Sequence, residues 1–196
     1  MLRATVRVVA DAAGVSRQAV SDMRRRLAAD NYIADTPSGA RWLPRRRDDA
    51  LELLLHGYRG TLRPSLLQGS YRTQYATPAE LEQRIAPILD GELSEWRWGG
   101  NAAGHRLTGH YRGERTVIHV HATPLRFEKT LRALPDRKGN LVVLRGFGPI
   151  AWPVDSNLVH PLLVYSEILA EGTESAREAA QVLFEKCVLP RWQEAE

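Results

Sequence analysis

The stretch "AGVSRQAVSDMRRRLAADNYI", residues 13–33, carries the strongest local structural signals in the chain. Gly14 tolerates the left-handed backbone conformation that ends many helices. Ser16 belongs to the residue types that cap the first turn of a following helix. The sequence therefore predicts two short helices that meet across a tight turn at Gly14-Val15-Ser16.

Apolar residues recur at helical spacing on both sides of this turn. Before it they are Val6, Val9, Ala10 and Ala13, and after it they are Val20, Met23 and Leu27. Residues three or four positions apart lie on the same side of a helix. We therefore expect the apolar side of the second helix to pack against the first.

The opposite side of the second helix is polar and basic. It carries Arg17, Gln18, Ser21 and Arg25, with Arg24 at its flank. These side chains donate hydrogen bonds and are long enough to reach base edges or phosphates from a helix that lies in a DNA groove.

Over about 40 residues the N-terminal stretch resembles a helix-turn-helix of the winged type. Ala10, Gly14 and Val20 stand at the offsets that this motif uses. After the second helix, Tyr32–Asp35 and Ala40–Leu43 are predicted to form two short strands joined by "TPSG", which fits the hairpin called the wing. Winged domains usually have a further helix before these two, and here Met1–Thr5 alone precede them.

The charge distribution supports a polyanionic partner for this end of the chain. Residues 1–47 contain ten arginines and four aspartates, a net charge of +6, and subtracting this from the total of +4 leaves −2 for residues 48–196. Such asymmetry is typical of nucleic-acid binding, although a solvated helix face and a basic linker would also explain the arginines. The residues expected to contact DNA are Ser16, Arg17, Gln18, Ser21, Arg24, Arg25, Arg41, Arg45, Arg46 and Arg47.

The rest of the chain predicts a second domain of mixed α/β type, and the fold class is α+β. We place the boundary between residues 47 and 48, which gives a winged domain over 1–47 and a larger domain over 48–196. Thr77 caps a predicted helix that Pro87 kinks or ends, and two helices close the chain around Gly172.

Composition limits the cellular setting. The single cysteine, Cys187, cannot form an intramolecular disulfide, and no stretch approaches the length of a membrane-spanning helix. We expect a cytoplasmic protein without a membrane partner.

A second resemblance covers roughly residues 50–190. The chain resembles the AbiEi family of antitoxins from bacterial type IV toxin–antitoxin systems. The residues that carry this resemblance are Trp98, Gly99, Gly100, Ala103, Leu107, Thr108, Gly109, Tyr111, Pro161, Leu163, Tyr165, Glu167 and Leu169.

The resemblance implies a regulator that is not an enzyme. Its winged end would repress its own promoter, and its second domain would counteract a nucleotidyltransferase toxin without having to bind it directly. A stand-alone repressor without a toxin is one alternative, and a DNA-directed nuclease is another. A monomer on each half of an inverted-repeat operator and a homodimer on the DNA are equally compatible with the sequence.

Four groups of residues could suggest chemistry, and each is better explained by structure. His105, His110, His119 and His121 lack a neighbouring carboxylate or thiolate for a metal site, so no metal is expected. Asp136 and Lys138 suggest a nuclease, but a turn set by Asp136 and Gly139 fits better. Trp96, Trp98, Trp152 and Trp192 are more typical of core anchors than of base-stacking platforms, and Cys187 is expected to be a small buried apolar residue. We predict no catalytic residue and no cofactor.

Overall fold

The structure, a computed structural model, describes residues 4–36, 39–43, 46–92, 95–110, 112–121 and 127–190. The chain divides into two units, Met1–Gly60 and Thr61–Glu196, here called unit 1 and unit 2. The boundary predicted from the sequence lies between residues 47 and 48, whereas unit 1 continues to Gly60. Arg46 and Arg47 are therefore the start of a helix of unit 1, because residues 46–57 are helical.

Unit 1 contains a helix-turn-helix followed by a hairpin. Its elements are α1 (Val6–Ala13), α2 (Arg17–Ala29), β1 (Ile33–Thr36), β2 (Gly39–Trp42) and α3 (Arg46–Gly57). Gly14 ends α1 with φ of 65°, and the Ser16 hydroxyl caps α2 by accepting a hydrogen bond from the Ala19 backbone N–H at 3.1 Å. The predicted helices, turn and wing are confirmed.

The hairpin pairs its two strands in antiparallel register. Ile33 lies opposite Trp42, and Thr36 lies opposite Gly39. The Leu43 backbone N–H donates to the Tyr32 carbonyl at 2.9 Å, which extends the pairing beyond the strands. The predicted strand bounds are correct to within one residue.

The core of unit 1 is small. Ala10, Val20, Ile33 and Ala40 are buried and join the two helices to the hairpin. The expectation that Met23 packs against α1 is wrong, because this residue is 56% exposed. Spacing places Met23 near Val20 on α2 but says nothing about how far the partner surface extends, and α1 has just eight residues.

Unit 2 is built on a five-stranded mixed sheet. The strands are β3 (Leu67–Arg72), β4 (Trp96–Gly99), β5 (Thr116–Val120), β6 (Leu134–Pro135) and β7 (Leu141–Arg145), in the order β4-β5-β7-β3-β6. The central pair β5 and β7 is parallel, and the other pairs are antiparallel. Every residue of β5 is buried, as expected for a strand covered on both faces.

Unit 2 also contains helices, and several of them contact the sheet. They are α4 (Arg63–Leu66), α5 (Pro78–Glu92), α6 (Gly100–Thr108), α7 (Phe127–Leu131), α8 (Gly148–Ala151), α9 (Pro161–Ala170) and α10 (Glu174–Leu183), with π-helical turns at Tyr58–Leu62 and Phe184–Val188. The α+β fold class is therefore confirmed.

Local signals explain several helix bounds of unit 2. The Thr77 hydroxyl accepts from the Glu80 backbone N–H at 3.3 Å and so caps α5, which continues through the exposed Pro87. The Thr173 hydroxyl caps α10 in the same way, and Gly172 before it has φ of 73°. Within the described ranges, no helix is both long enough and apolar enough to cross a membrane.

Candidate nucleic-acid interface

The polar side of α2 is exposed as the sequence analysis predicts. Arg17, Gln18 and Arg25 are exposed, and Ser21 is half-buried. Ser16 serves α2 as its capping residue, so its side chain fixes the start of the helix. Among the described residues, the Arg17 guanidinium makes no hydrogen bond or ion pair. Arg17 is therefore available to an external acceptor.

Gln18 and Arg25 are linked through a third residue, Asp22. The Gln18 Nε2 atom donates to Asp22 Oδ1 at 2.9 Å, and the Arg25 Nη2 atom donates to the same oxygen at 2.5 Å. Asp22 was not among the residues predicted from the sequence to have a role, although its spacing of four and three residues from Gln18 and Arg25 is typical of paired side chains on a helix.

Arg24 has a contact inside unit 1. Its Nη2 atom donates to the Ala4 backbone carbonyl at 2.6 Å, and the residue is half-buried. This bond ties α2 to the segment just before α1. A role for Arg24 in phosphate binding would compete with this bond.

Arg46 contacts the end of α2 and the residues after it. Its Nε and Nη2 atoms donate to the carbonyls of Asn31 and Asp30 at 3.0 and 2.9 Å. Its Nη1 atom pairs with Asp49 Oδ2 at 2.7 Å, and its guanidinium lies 4.6 Å from the centre of the Tyr32 ring. A cation at the C-terminal end of a helix interacts favourably with the helix dipole. Arg46 therefore joins the first turn of α3 to the end of α2.

The other predicted contact residues lie on the hairpin and at the start of α3. Arg41 is exposed on β2, and Arg47 is half-buried. Arg45 lies outside the described residues, as do Tyr111 and Trp192.

The net charge resides in unit 1. Residues 1–60 contain eleven arginines against seven acidic residues, a net charge of +4, and this equals the charge of the whole chain. Residues 61–196 therefore carry no net formal charge. An exposed arginine-bearing helix in a cationic unit can attract a polyanion at long range.

Unit 2 contains a buried polar cluster around Glu167, far from the solvent that charged groups prefer. The Arg63 Nε atom contacts Glu167 Oε2 at 3.1 Å, and the Glu167 side chain is 1% exposed. Burial raises the pKa of Glu167 to about 8, and the nearby Glu171 acts in the same direction. The contact with Arg63 favours the ionised carboxylate and opposes these two effects.

The side chain of Asn101 extends this cluster towards Glu171. Asn101 Nδ2 donates to Glu171 Oε1 at 2.5 Å. Burial raises the pKa of Glu171, whereas the bond from Asn101 and the charge of Arg115 lower it. The cluster thus places two carboxyl groups of α9 and the turn after it beside cationic and amide groups.

His119 on β5 is fully buried next to the same cluster. Burial, followed by the charge of Arg63, lowers the pKa of His119 to about 3, so the imidazole is neutral. A Cβ atom on Gly99 would stand 2.6 Å from the His119 ring, so glycine is needed for this close packing. Neither ring nitrogen has a hydrogen-bond partner within the part of the chain that the structure describes.

The four histidines of the sequence analysis do not share one site. His119 is buried, whereas His121 is exposed, pairs with Glu95 at 3.0 Å and stacks on Trp152 at 4.0 Å. The described residues contain no group of three or more histidine, cysteine, aspartate or glutamate side chains that could hold a metal ion.

The Asp136 segment forms the expected turn. Asp136 Oδ1 accepts from the Lys138 backbone N–H at 2.9 Å, and its carbonyl accepts from the Gly139 N–H at 2.9 Å. A Cβ on Gly139 would lie 2.1 Å from the Tyr71 backbone, so glycine is required there. Asp136 therefore has a structural role.

Among Trp96, Trp98 and Trp152, Trp98 is a core anchor. It is buried, and the Arg106 guanidinium lies 4.3 Å from its ring centre. Trp96 and Trp152 are half-buried. Cys187 is half-buried and not fully buried as expected, because it lies in a π-helical turn, where the side chains no longer follow the α-helical period.

Comparison with known families gives one match. A family model described as the AbiEi antitoxin, a transcriptional regulator of type IV toxin–antitoxin systems, matches residues 45–189. The chain belongs to the AbiEi antitoxin family. The chain matches no curated protein and no solved structure.

The family match and the helix-turn-helix come from different parts of the chain. The matched range begins after the hairpin and contains the whole buried cluster of unit 2. α1, α2 and the hairpin precede that range. The exposed basic helix is therefore evidence that is independent of the family assignment.

Proposed function

We propose that this antitoxin binds double-stranded DNA through α2 and the hairpin and represses its own promoter. The observation that carries the proposal is the outward-facing set Arg17, Gln18 and Arg25 on a capped helix of the cationic unit 1. In a winged helix-turn-helix, the second helix enters the major groove. Side chains of these types donate to guanine and adenine edges there.

The proposal divides the predicted contact residues into two roles. Arg17, Gln18, Ser21 and Arg25 read base edges, whereas Arg41, Arg45 and Arg47 hold phosphates. Ser16 acts as the cap of α2, and the backbone N–H groups at the N-terminus of α2 can bind a phosphate. Arg24 and Arg46 act chiefly by fixing the geometry of unit 1, since their guanidinium groups contact backbone carbonyls.

The direct test is a binding titration of the full chain on its own upstream DNA. Arg17→Ala should cost about 1–3 kcal/mol on that DNA and much less on a scrambled duplex. Arg177→Ala is the matched control, because Arg177 is an exposed arginine on α10 of unit 2. An Arg17→Ala protein with full preference for the upstream DNA would remove α2 from the reading role.

We further propose that unit 2 supports neutralisation of a nucleotidyltransferase toxin in the cytoplasm, without direct contact between the two proteins. This proposal is supported by the family, whose matched range covers nearly all of unit 2. Where a nucleotidyltransferase reading frame lies beside this gene, its expression alone should arrest growth, and co-expression of the present chain should restore it. Rescue should persist in the Arg17→Ala variant if the two units act separately, and absence of rescue by the wild-type chain would contradict a toxin partner.

On operator DNA, we propose either one copy on each half of an inverted repeat or a homodimer. Sedimentation of the free chain distinguishes these two, since a homodimer has twice the monomer mass before DNA is added.

A further inference from the structure

Asp22 is the only acidic residue in the sequence of α2, and it lies among the groups proposed to read DNA. Its carboxylate is 43% exposed, and the Arg25 side chain with which it pairs is 73% exposed. An exposed ion pair of this kind adds little to folding stability. A carboxylate at this position also repels the phosphate backbone, so it weakens binding to every DNA sequence.

The Asp22 carboxylate is hydrogen-bonded to two neighbouring side chains of α2. One oxygen, Oδ1, accepts from both Gln18 Nε2 and Arg25 Nη2, at 2.9 and 2.5 Å. Gln18 and Arg25 are seven residues apart, two helical turns on one side of α2. The shared acceptor therefore holds both side chains along the same strip of the helix surface.

These bonds leave most of the hydrogen-bonding groups of Gln18 and Arg25 available for contacts with base edges. Gln18 keeps a second N–H and its amide oxygen, and Arg25 keeps the rest of its five donors. Both residues can therefore contact base edges while they remain bonded to Asp22. Side chains that are ordered before binding lose less conformational freedom when the complex forms.

We propose that Asp22 is a specificity-determining positioning residue, which holds Gln18 and Arg25 towards base edges and disfavours binding through phosphates alone. On matching DNA, the ordered contacts offset the repulsion. On other DNA the repulsion is not offset, so the difference between the two affinities increases. This inference rests on the proposed function, because it concerns how the same helix selects its DNA.

The test compares Asp22→Ala, Asp22→Asn and the control Asp11→Ala in the full chain. Asp11 is an exposed acidic residue of α1 whose side chain has no hydrogen bond or ion pair with any described residue. The control therefore removes the same charge from the same unit without touching Gln18 or Arg25. Affinity is measured by fluorescence anisotropy for the upstream duplex and for a scrambled duplex, at a low and a high salt concentration.

Asp22→Ala should bind the scrambled duplex more tightly and should lower the ratio of the two affinities about fivefold or more. Its binding to the scrambled duplex should also become more salt-dependent, because the released Arg25 gains a phosphate contact. One added contact makes the loss of affinity over a fourfold rise in salt about threefold larger. Asp22→Asn keeps an acceptor oxygen for both neighbours and should recover most of the lost preference.

Asp22→Ala and Asp11→Ala with the same affinity ratio and the same salt dependence would overturn the inference, because Asp22 would then act through net charge alone. A wild-type chain that binds both duplexes equally would instead contradict the proposed function, and with it this inference. Circular dichroism reports whether each variant keeps its helices. Should the alanine variant unfold, Asp22→Leu takes its place, because leucine favours the helix and has no acceptor for Gln18 or Arg25. An affinity ratio of Asp22→Leu equal to that of Asp11→Ala would also overturn the inference.

Discussion

Unit 1 and unit 2 of this protein differ in where their characteristic side chains lie. Unit 1 carries the net charge of +4 and buries few apolar residues, whereas unit 2 has no net charge and a sheet whose central strands are buried. The charged side chains of the two units also differ in exposure, since Arg17 and Arg41 are exposed whereas Glu167 is buried. The comparison indicates that the characteristic residues of unit 1 are exposed charges, whereas those of unit 2 are buried.

The largest expected difference between the units is in the cost of losing an apolar side chain. Ile118→Ala empties a fully buried position of β5 and should lower the free energy of unfolding by about 2–5 kcal/mol. Met23→Ala removes an exposed apolar side chain of α2 and should change it by less than about 0.5 kcal/mol. Urea unfolding followed by circular dichroism measures both, and similar losses would contradict the contrast between the units.

The next effect is a pH dependence of stability that originates in unit 2. The pKa of Glu167 rises from 4.5 to about 8, so its stabilising contribution is complete below pH 4.5 and is lost as the pH rises through 8. The pKa of His119 falls from 6.5 to about 3, so its contribution is complete above pH 6.5 and is lost as the pH falls through 3. The two contributions oppose each other between pH 4.5 and 6.5.

These signs predict that stability falls between pH 6.5 and 8, with a slope of at most about 1.4 kcal/mol per pH unit from Glu167. Glu167→Gln should flatten this alkaline limb. Because the opposing contribution is then gone, it should also extend the acid limb, over which stability rises with pH, from pH 4.5 up to 6.5. His119→Gln should flatten the acid limb instead. Urea midpoints of the three proteins from pH 3 to pH 8 provide the measurement. An unchanged alkaline limb in Glu167→Gln would show that Arg63 keeps the carboxylate ionised throughout.

A smaller effect separates the structural arginines of unit 1 from those proposed to contact DNA. Arg46→Ala removes two bonds to backbone carbonyls and the contact with Tyr32, and should lower the free energy of unfolding by about 1 kcal/mol. The salt dependence of DNA binding should remain unchanged. Thermal unfolding together with titrations at two salt concentrations measures both quantities, and a reduced salt slope would show that Arg46 holds a phosphate as well.

The smallest effect on stability is expected at Arg41, which is exposed on β2. Arg41→Ala should leave unfolding within about 0.5 kcal/mol of the wild type. It should lower the salt slope of DNA binding by about 0.9, the value for one phosphate contact, and weaken matching and scrambled DNA equally. A loss confined to the matching duplex would move Arg41 from phosphate binding to base reading.

The helix-turn-helix could be predicted because its signals are local. The turn depends on the backbone freedom of Gly14 and the cap depends on the Ser16 hydroxyl, and both act within a few residues of where they stand. The same is true of Thr77 at the start of α5 and of the turn at Asp136. The second unit was identified from the family resemblance over roughly residues 50–190, which is nearly the same range as the family match over residues 45–189.

The roles of individual charged residues were harder to predict. Arg24 and Arg46 were expected from the sequence to contact DNA, yet their guanidinium groups donate to backbone carbonyls that the fold brings close. Asp22 was overlooked because a lone acidic residue in a basic helix carries no sequence signal of whether its neighbours turn towards it. The buried pair of Arg63 and Glu167 joins residues 104 positions apart, beyond the reach of any periodic pattern.

The sequence by itself determined the helices, the turn, the wing and the concentration of positive charge in the first quarter of the chain. Those features follow from short-range backbone preferences and from composition, which need no knowledge of distant residues. Only the tertiary structure decided which arginines face solvent, that Met23 lacks a partner surface, and that His119 and Glu167 are buried together. Burial and pairing depend on which segments of the folded chain approach each other, and that approach sets both the exposure and the pKa of a side chain.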